Sequence, residues 1–220
     1  MKIFKWLWSA LFLVSAFAAF TPDASAADDF KARDVFSKLQ SSDLEILPSS
    51  TRLDMLDYWD VDSVYKAMNA LGGLSLLEKV TDNYLKVKLT PVSTLEIKIL
   101  PVKKGEIAMT VYTVGDSPQA SDSQIRFYDE SLNQLETSKY FQIPQMKHFF
   151  DIPKGSATTL KELEQMIPFP TVEYTANPEN YNLKARLTVE EYINQDDWNI
   201  AKLFVKPYII LEWKKDKFRL

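Results

Sequence analysis

The amino-acid sequence predicts an α+β protein built on an antiparallel β-meander sheet, with N-terminal helices before it and a C-terminal strand–helix–strand segment after it. Three observations carry that expectation. Apolar residues recur at helical spacing between Ala32 and Leu71. From residue 83 onward the period changes from 3.6 to 2. The connections between successive strands are too short for the crossover that parallel pairing requires.

A leader precedes these elements. Lys2 and Lys5 form a positive head, Trp6 to Phe20 is apolar except for Ser9 and Ser15, and Pro22 ends any helix. Ala24-Ser25-Ala26 then supplies the small residues of a cleavage site, which together describe a secretory signal peptide over residues 1–26. The apolar run is shorter than the ~20 residues of a membrane span. Cleavage before Ala27 leaves residues 27–220, expected to form a single α+β domain, with sub-lobes 27–142 and 143–220 as the alternative division.

Ala32, Val35, Phe36 and Leu39 fall at i, i+3, i+4 and i+7 and predict the first helix, with Asp28 or Asp29 as its cap. Ser49 and Ser50 are placed to cap a second helix carrying Leu53, Met55 and Leu56. A third is expected over Val61 to Leu71, ended by Gly72-Gly73.

In the meander, Leu85, Val87 and Leu89 alternate with lysines, and Leu95, Ile97 and Ile99 alternate with Glu96 and Lys98. Both read as half-exposed strands, joined around Pro91-Val92-Ser93 with Leu89 opposite Leu95 and Lys88 opposite Glu96. A three-residue turn at Lys103-Lys104-Gly105 would set Ile99 opposite Met109 and Ile97 opposite Val111 on one apolar face. A fourth strand is expected over Ser123 to Tyr128 and a fifth near Leu135 to Phe141. Between Pro144 and Pro178 the prolines predict an irregular crossing, with a short helix at Thr159 to Met166. Leu183 to Leu187 and Tyr208 to Trp213 read as strands. A helix capped by Asp196 or Asp197 runs between them to Phe204, and a turn at Lys214-Lys215-Asp216 leads into Phe218 to Leu220. The likeness of Leu85–Thr90 to Leu183–Thr188 fits two half-exposed strands better than a duplicated unit.

Composition narrows the function classes. The chain has no cysteine, so no disulfide supports it in an oxidising compartment and no lipid-attachment residue follows the leader. No second apolar run reaches spanning length, so the mature product is expected to be periplasmic or secreted, without membrane span or lipid anchor. The net charge of −4 becomes one unit more negative without Lys2, Lys5 and Asp23, and offers no reason to bind nucleic acid. Gly72, Gly73, Gly105, Gly115 and Gly155 fall in no phosphate-cradling pattern. No cofactor is expected, and the oligomeric state is expected to be monomer or weak homo-oligomer.

Several residues invite a chemical role. Asp54, Asp57, Asp60 and Asp62 are the densest acidic cluster, yet the spacing lacks the glycine and closing glutamate of a Ca²⁺ loop. His148 is the lone histidine, enough for a Ser-His-Asp arrangement but not for zinc, and no Gly-x-Ser-x-Gly elbow accompanies it. Glu173, Glu190 and Glu191 are candidates for a carboxylate pair, although Thr188-Val189-Glu190-Glu191 reads as a helix-capping box. Aromatic residues make up 13% of the chain. Tyr112, Tyr128, Trp198 and Trp213 are the candidate binding residues among them, as rings that either stack on a ligand or pack the core. Tyr112 and Tyr128 lie on the opposite strand face from Met109 and Phe127.

Arg52-Leu53-Asp54-Met55-Leu56-Asp57-Tyr58, Asp122-Ser123-Gln124-Ile125-Arg126-Phe127-Tyr128-Asp129 and Leu211-Glu212-Trp213-Lys214-Lys215-Asp216-Lys217-Phe218 resemble an uncharacterised family of exported proteins from Bacteroidales-type bacteria. Leu132 stands where that family's pattern has an aromatic residue. The resemblance implies an envelope or secreted location and an α+β fold, and it brings no catalytic residues. The expectation is therefore a non-enzymatic binding module of the cell envelope facing a protein or glycan partner. The alternative is a periplasmic or secreted hydrolase using His148 or a carboxylate pair.

Overall fold

The computed structural model describes residues 30–220. The predicted leader, and the capping assigned to Asp28 and Asp29, lie outside the described residues. Three layers stack on one another. Helices α1 (Ala32–Lys38) and α2 (Ser49–Asp60) cover one face of a seven-stranded antiparallel meander. Its strands, in spatial and chain order, are β1 (Lys66–Met68), β2 (Leu74–Val80), β3 (Tyr84–Thr90), β4 (Ser93–Pro101), β5 (Glu106–Val114), β6 (Asp122–Tyr128) and β7 (Gln134–Leu135). On the other face lies a second antiparallel sheet, ordered β11-β10-β9-β8, from β8 (Val172–Ala176), β9 (Leu183–Leu187), β10 (Ile209–Lys214) and β11 (Lys217–Arg219). Short helices α3 (Thr137–Tyr140), α4 (Leu160–Met166) and α5 (Gln195–Ala201) complete it, so β9–α5–β10 is the expected strand–helix–strand segment. The fold class is the α+β meander that the periodicities predict.

The apolar stripe of α1 buries Ala32, Val35 and Phe36 against β3 and β4. The ends of α1 are satisfied by distant residues. The Ala32 N–H donates to the Asp82 carbonyl between β2 and β3 at 2.8 Å. At the other end the Arg52 guanidinium, 1% exposed, donates to the carbonyls of Phe36 at 2.6 Å and Leu39 at 2.7 Å. A cation at a helix C-terminus meets both the orphan carbonyls and the negative end of the helix dipole. Burial holds the Arg52 pKa below its usual value.

The structure corrects several local expectations. Ser49 and Ser50 are the first residues inside α2 and make no side-chain cap. No helix occupies Val61 to Leu71: Asp62 takes φ 52°, and the chain turns into β1 and the hairpin to β2. Asn69 organises that turn. Its side chain accepts from the N–H groups of Leu71 (3.0 Å) and Gly73 (3.1 Å) and donates to the Leu89 carbonyl at 2.9 Å. The apolar residues of this stretch carry a strand edge instead of a helix stripe.

The meander's registers also differ. A bulge between Lys88 and Thr90 sets Val87 opposite Leu95 and Lys86 opposite Glu96. The next connection spans four residues, so Ile99 faces Ala108 and Lys98 faces Met109. Ile97 and Ile99 then belong to the helix-side core, and Met109 and Val111 to the core between the sheets. The expected register assumed one buried face, and two buried faces remove that constraint. The strand expected over Leu135 to Phe141 shrinks to β7 and gives way to α3. Strands β2 and β8 went unpredicted, the latter inside the proline-rich crossing. Asn194, rather than Asp196 or Asp197, caps α5 by accepting from the Asp197 N–H at 2.8 Å. Thr188 to Glu191 start no helix, because the Thr188 hydroxyl donates to the Ser121 carbonyl.

Candidate functional site

The two faces of the long sheet are covered differently, and the difference creates the site. On the face toward the second sheet, β8 runs alongside β4, β5 and β6 with a free edge. Every second N–H of that edge is taken by a side chain of the long sheet. Val172 donates to Asp122 Oδ1 (3.1 Å), Tyr174 to Ser123 Oγ (3.0 Å) and Ala176 to Glu96 Oε2 (2.7 Å). Lys98 Nζ reaches the Pro178 carbonyl just beyond, at 3.0 Å. Glu96 and Lys98 are therefore not the solvent-facing half of an alternating strand but docking groups, 5% and 1% exposed. Burial pushes the Glu96 carboxyl up to about 7, against the lowering effects of the Ala176 N–H, Lys86 and Tyr84.

On the helix face, α1 lies over β3 and β4 and α2 over β1 and β2. The outer part of β5 and β6 is roofed only by the connection between α1 and α2, which leaves a groove of about 540 Å³. Its floor is a grid set by the β5–β6 register, with Tyr112 opposite Gln124 and Thr110 opposite Arg126. One wall carries Asp43, Leu44 and Ile46, and the turn at Ala70-Leu71 forms the other. The Ala70 N–H donates to the Ile46 carbonyl at 3.0 Å, tying the walls together. Arg126 Nη1 meets Asp43 Oδ1 at 3.3 Å and holds the roof to the floor. Tyr128, 2% exposed, closes the floor beneath them, and burial raises its phenol pKa. A half-buried ring beside a guanidinium, an amide, a hydroxyl and a carboxylate can stack on a ligand and hydrogen-bond to it from several directions.

Of the four aromatic candidates, the structure brings Tyr112 and Tyr128 into this groove and places the other two elsewhere. Trp213 lies between Tyr140 and Phe218 and donates its Nε1–H to the Pro101 carbonyl at 2.8 Å, a packing role. Trp198 packs half-buried against the core between the sheets. His148 accepts the Gln145 N–H at Nδ1 (3.1 Å), and the hollow beside it is lined by no serine, aspartate or glutamate. Burial and the lysines at 147 and 206 hold its pKa below the usual value. Glu173 binds Arg186 (2.5 Å) and the Ser121 hydroxyl (2.6 Å), and Glu191 accepts from the Ser117 hydroxyl. Glu190 lines a separate shallow hollow beside Trp198. Asp60 pairs with Arg33 at 2.6 Å, and Asp54, Asp57 and Asp62 face solvent. Among the described residues no three histidine or acidic side chains converge as metal ligands would. Gln124, Arg126 and Asp43 were missed as site residues. Tyr112, Gln124, Arg126 and Tyr128 share one face by alternation, so their grouping was available from strand period alone.

A family model matches residues 25–218, described as protein of unknown function (DUF3256). The chain belongs to this family. A solved structure of a domain of an uncharacterized protein from Porphyromonas gingivalis W83 is similar, with a TM-score of 0.71 and 19% identity over 85% of this chain and 96% of that one. That likeness shares the fold. No curated protein matches the sequence. Arg52, Gln124, Arg126 and Trp213, all within the segments that resembled the family, thus serve a helix end, the groove floor and the packing of the second sheet. Among the described residues no helix is long and apolar enough to cross a membrane.

Proposed function

We propose that this DUF3256 protein is exported and acts in the cell envelope as a non-catalytic binding module, holding a neutral, hydroxyl-rich glycan segment in the groove over β5 and β6. The observation that carries this reading is the Tyr112–Gln124–Thr110–Arg126 grid, left open where the helix layer stops. The tyrosine ring offers a stacking face, and the planar amide and guanidinium offer paired donors to neighbouring hydroxyls. Arg126 is paired with Asp43, and Glu45 also lines the groove, a balance that disfavours an anionic ligand. Export is supported by the leader over residues 1–26 and by a family match that begins at residue 25, where the apolar run has ended.

The test is a glycan array probed with residues 27–220, followed by calorimetry on the best ligand. Tyr112→Ala and Gln124→Ala are each expected to weaken binding at least about tenfold, about 1.4 kcal/mol, with the melting temperature little changed. A glycan bound equally by the parent and both variants would place the site elsewhere and end this reading. A protein ligand that needs Ile46 and Leu71 but not Gln124 would end it in favour of a protein partner.

A further inference from the structure

The two sheets have four edges, and three are protected in recognisable ways. The β8 edge is capped by Asp122, Ser123 and Glu96. The β11 edge is three residues long and carries Lys217 and Arg219. The β7 edge is two residues long and runs directly into α3. These are the usual ways of preventing one sheet from adding strands of another. The fourth edge, β1, is also three residues long but differs in what surrounds it. Around it Val61, Val64, Met68, Leu71 and Leu74 are exposed by 70%, 79%, 70%, 77% and 53%. Lys66 is the single charge within the strand.

We propose that β1 is a self-association edge, pairing antiparallel with β1 of a second copy across a twofold axis to continue the seven-stranded sheet. A second copy fits because the edge is complementary to itself. A register centred on Ala67 sets Lys66 of one copy opposite Met68 of the other. No like charges meet, and each lysine stem lies along a methionine. Ala67 stays in the helix-side core while Lys66 and Met68 share the outer face. A twofold contact of this kind closes at two copies and leaves no further edge of the same type.

The available area sets the strength. Five such side chains, at roughly 100 Å² each, present on the order of 500 Å², short of the ~800 Å² per partner of a standard interface. Strand pairing supplies part of the remainder, so the dimer is expected to be weak, with a dissociation constant on the order of 10 µM or above.

Sedimentation equilibrium of residues 27–220 from about 1 µM to about 1 mM is expected to show the mass doubling with concentration. Val64→Lys and Met68→Lys, both at exposed positions away from the groove, are expected to keep the chain monomeric throughout with an unchanged circular dichroism spectrum. A second measurement uses the absence of native cysteine. A Lys66→Cys chain mixed with a Met68→Cys chain should form the mixed disulfide on mild oxidation faster than either chain cross-links with itself. A parent chain monomeric at about 1 mM, a dimer that both lysine variants retain, or cysteine chains that cross-link without preference for the mixed pair would each overturn the proposal.

Discussion

The seven-stranded sheet is closed on one face and partly open on the other, and the two faces use polar side chains in opposite ways. Toward the second sheet, Asp122, Ser123, Glu96 and Lys98 each meet a backbone group of β8 or the loop after it. Toward the helices, Thr110, Tyr112, Gln124 and Arg126 line a groove that no helix fills. The same alternating strands supply both sets. A polar residue on a half-apolar strand therefore has no fixed meaning: what covers it decides whether it is a docking group or part of an open groove.

The comparison can be broken most severely at Arg52, where the helix layer is tied together. Arg52→Ala removes two charge-assisted hydrogen bonds from the last carbonyls of α1 and is expected to cost about 3 kcal/mol. Chemical denaturation reads the loss, and amide exchange should quicken in α1 before β8.

Glu96 sharpens the contrast from the other face. Its folded pKa is raised by burial to about 7, so the folded state holds a proton that the unfolded chain releases near the ordinary glutamate value. This stabilisation is full below that value and is lost as pH rises toward 7. The groups facing it are Tyr84 and Lys86 on β3 and the Ala176 N–H and Glu173 on β8. Stability of the parent chain is thus expected to fall by about 3 kcal/mol between pH 4.5 and pH 7.5. Glu96→Gln keeps an oxygen for the Ala176 N–H and carries no charge, so its stability should vary less over that window. Equal slopes for parent and variant would show that Glu96 is not the group responsible.

Ser123→Ala tests the smallest element of the same contact. It removes the acceptor of the Tyr174 N–H, and a loss of about 1 kcal/mol is expected, with faster exchange confined to that amide and its neighbours. Tyr112→Ala, across the sheet, should instead leave stability nearly unchanged while weakening the proposed glycan binding.

Much of the architecture was legible in the residues. The stripe of Ala32, Val35, Phe36 and Leu39 marked α1, and the alternations in β3, β4, β6 and β9 marked strands, because these patterns are local consequences of period. The failures all arise from tertiary context. Val61 to Leu71 looked helical because β1 is short and its neighbouring apolar residues are exposed. The registers of β3–β4 and β4–β5 slipped because a single buried face was assumed. Strand β8 stayed hidden among prolines because its edge bonds to side chains from 50 to 80 residues away. At the candidate site Tyr112 and Tyr128 were visible as an aromatic face, whereas Asp43 joins them only through the path of a connecting loop.

Periodicity along the chain established the α+β class, the antiparallel order and which residues share a strand face, since backbone geometry repeats wherever it occurs. The packing of three layers settled the rest: that Glu96 and Lys98 are buried, that Arg52 closes a helix, and that β5 and β6 keep an open face. Those outcomes depend on which surfaces lose water to one another. Solvation of a side chain is a property of its neighbours in space, and the order of residues does not contain it.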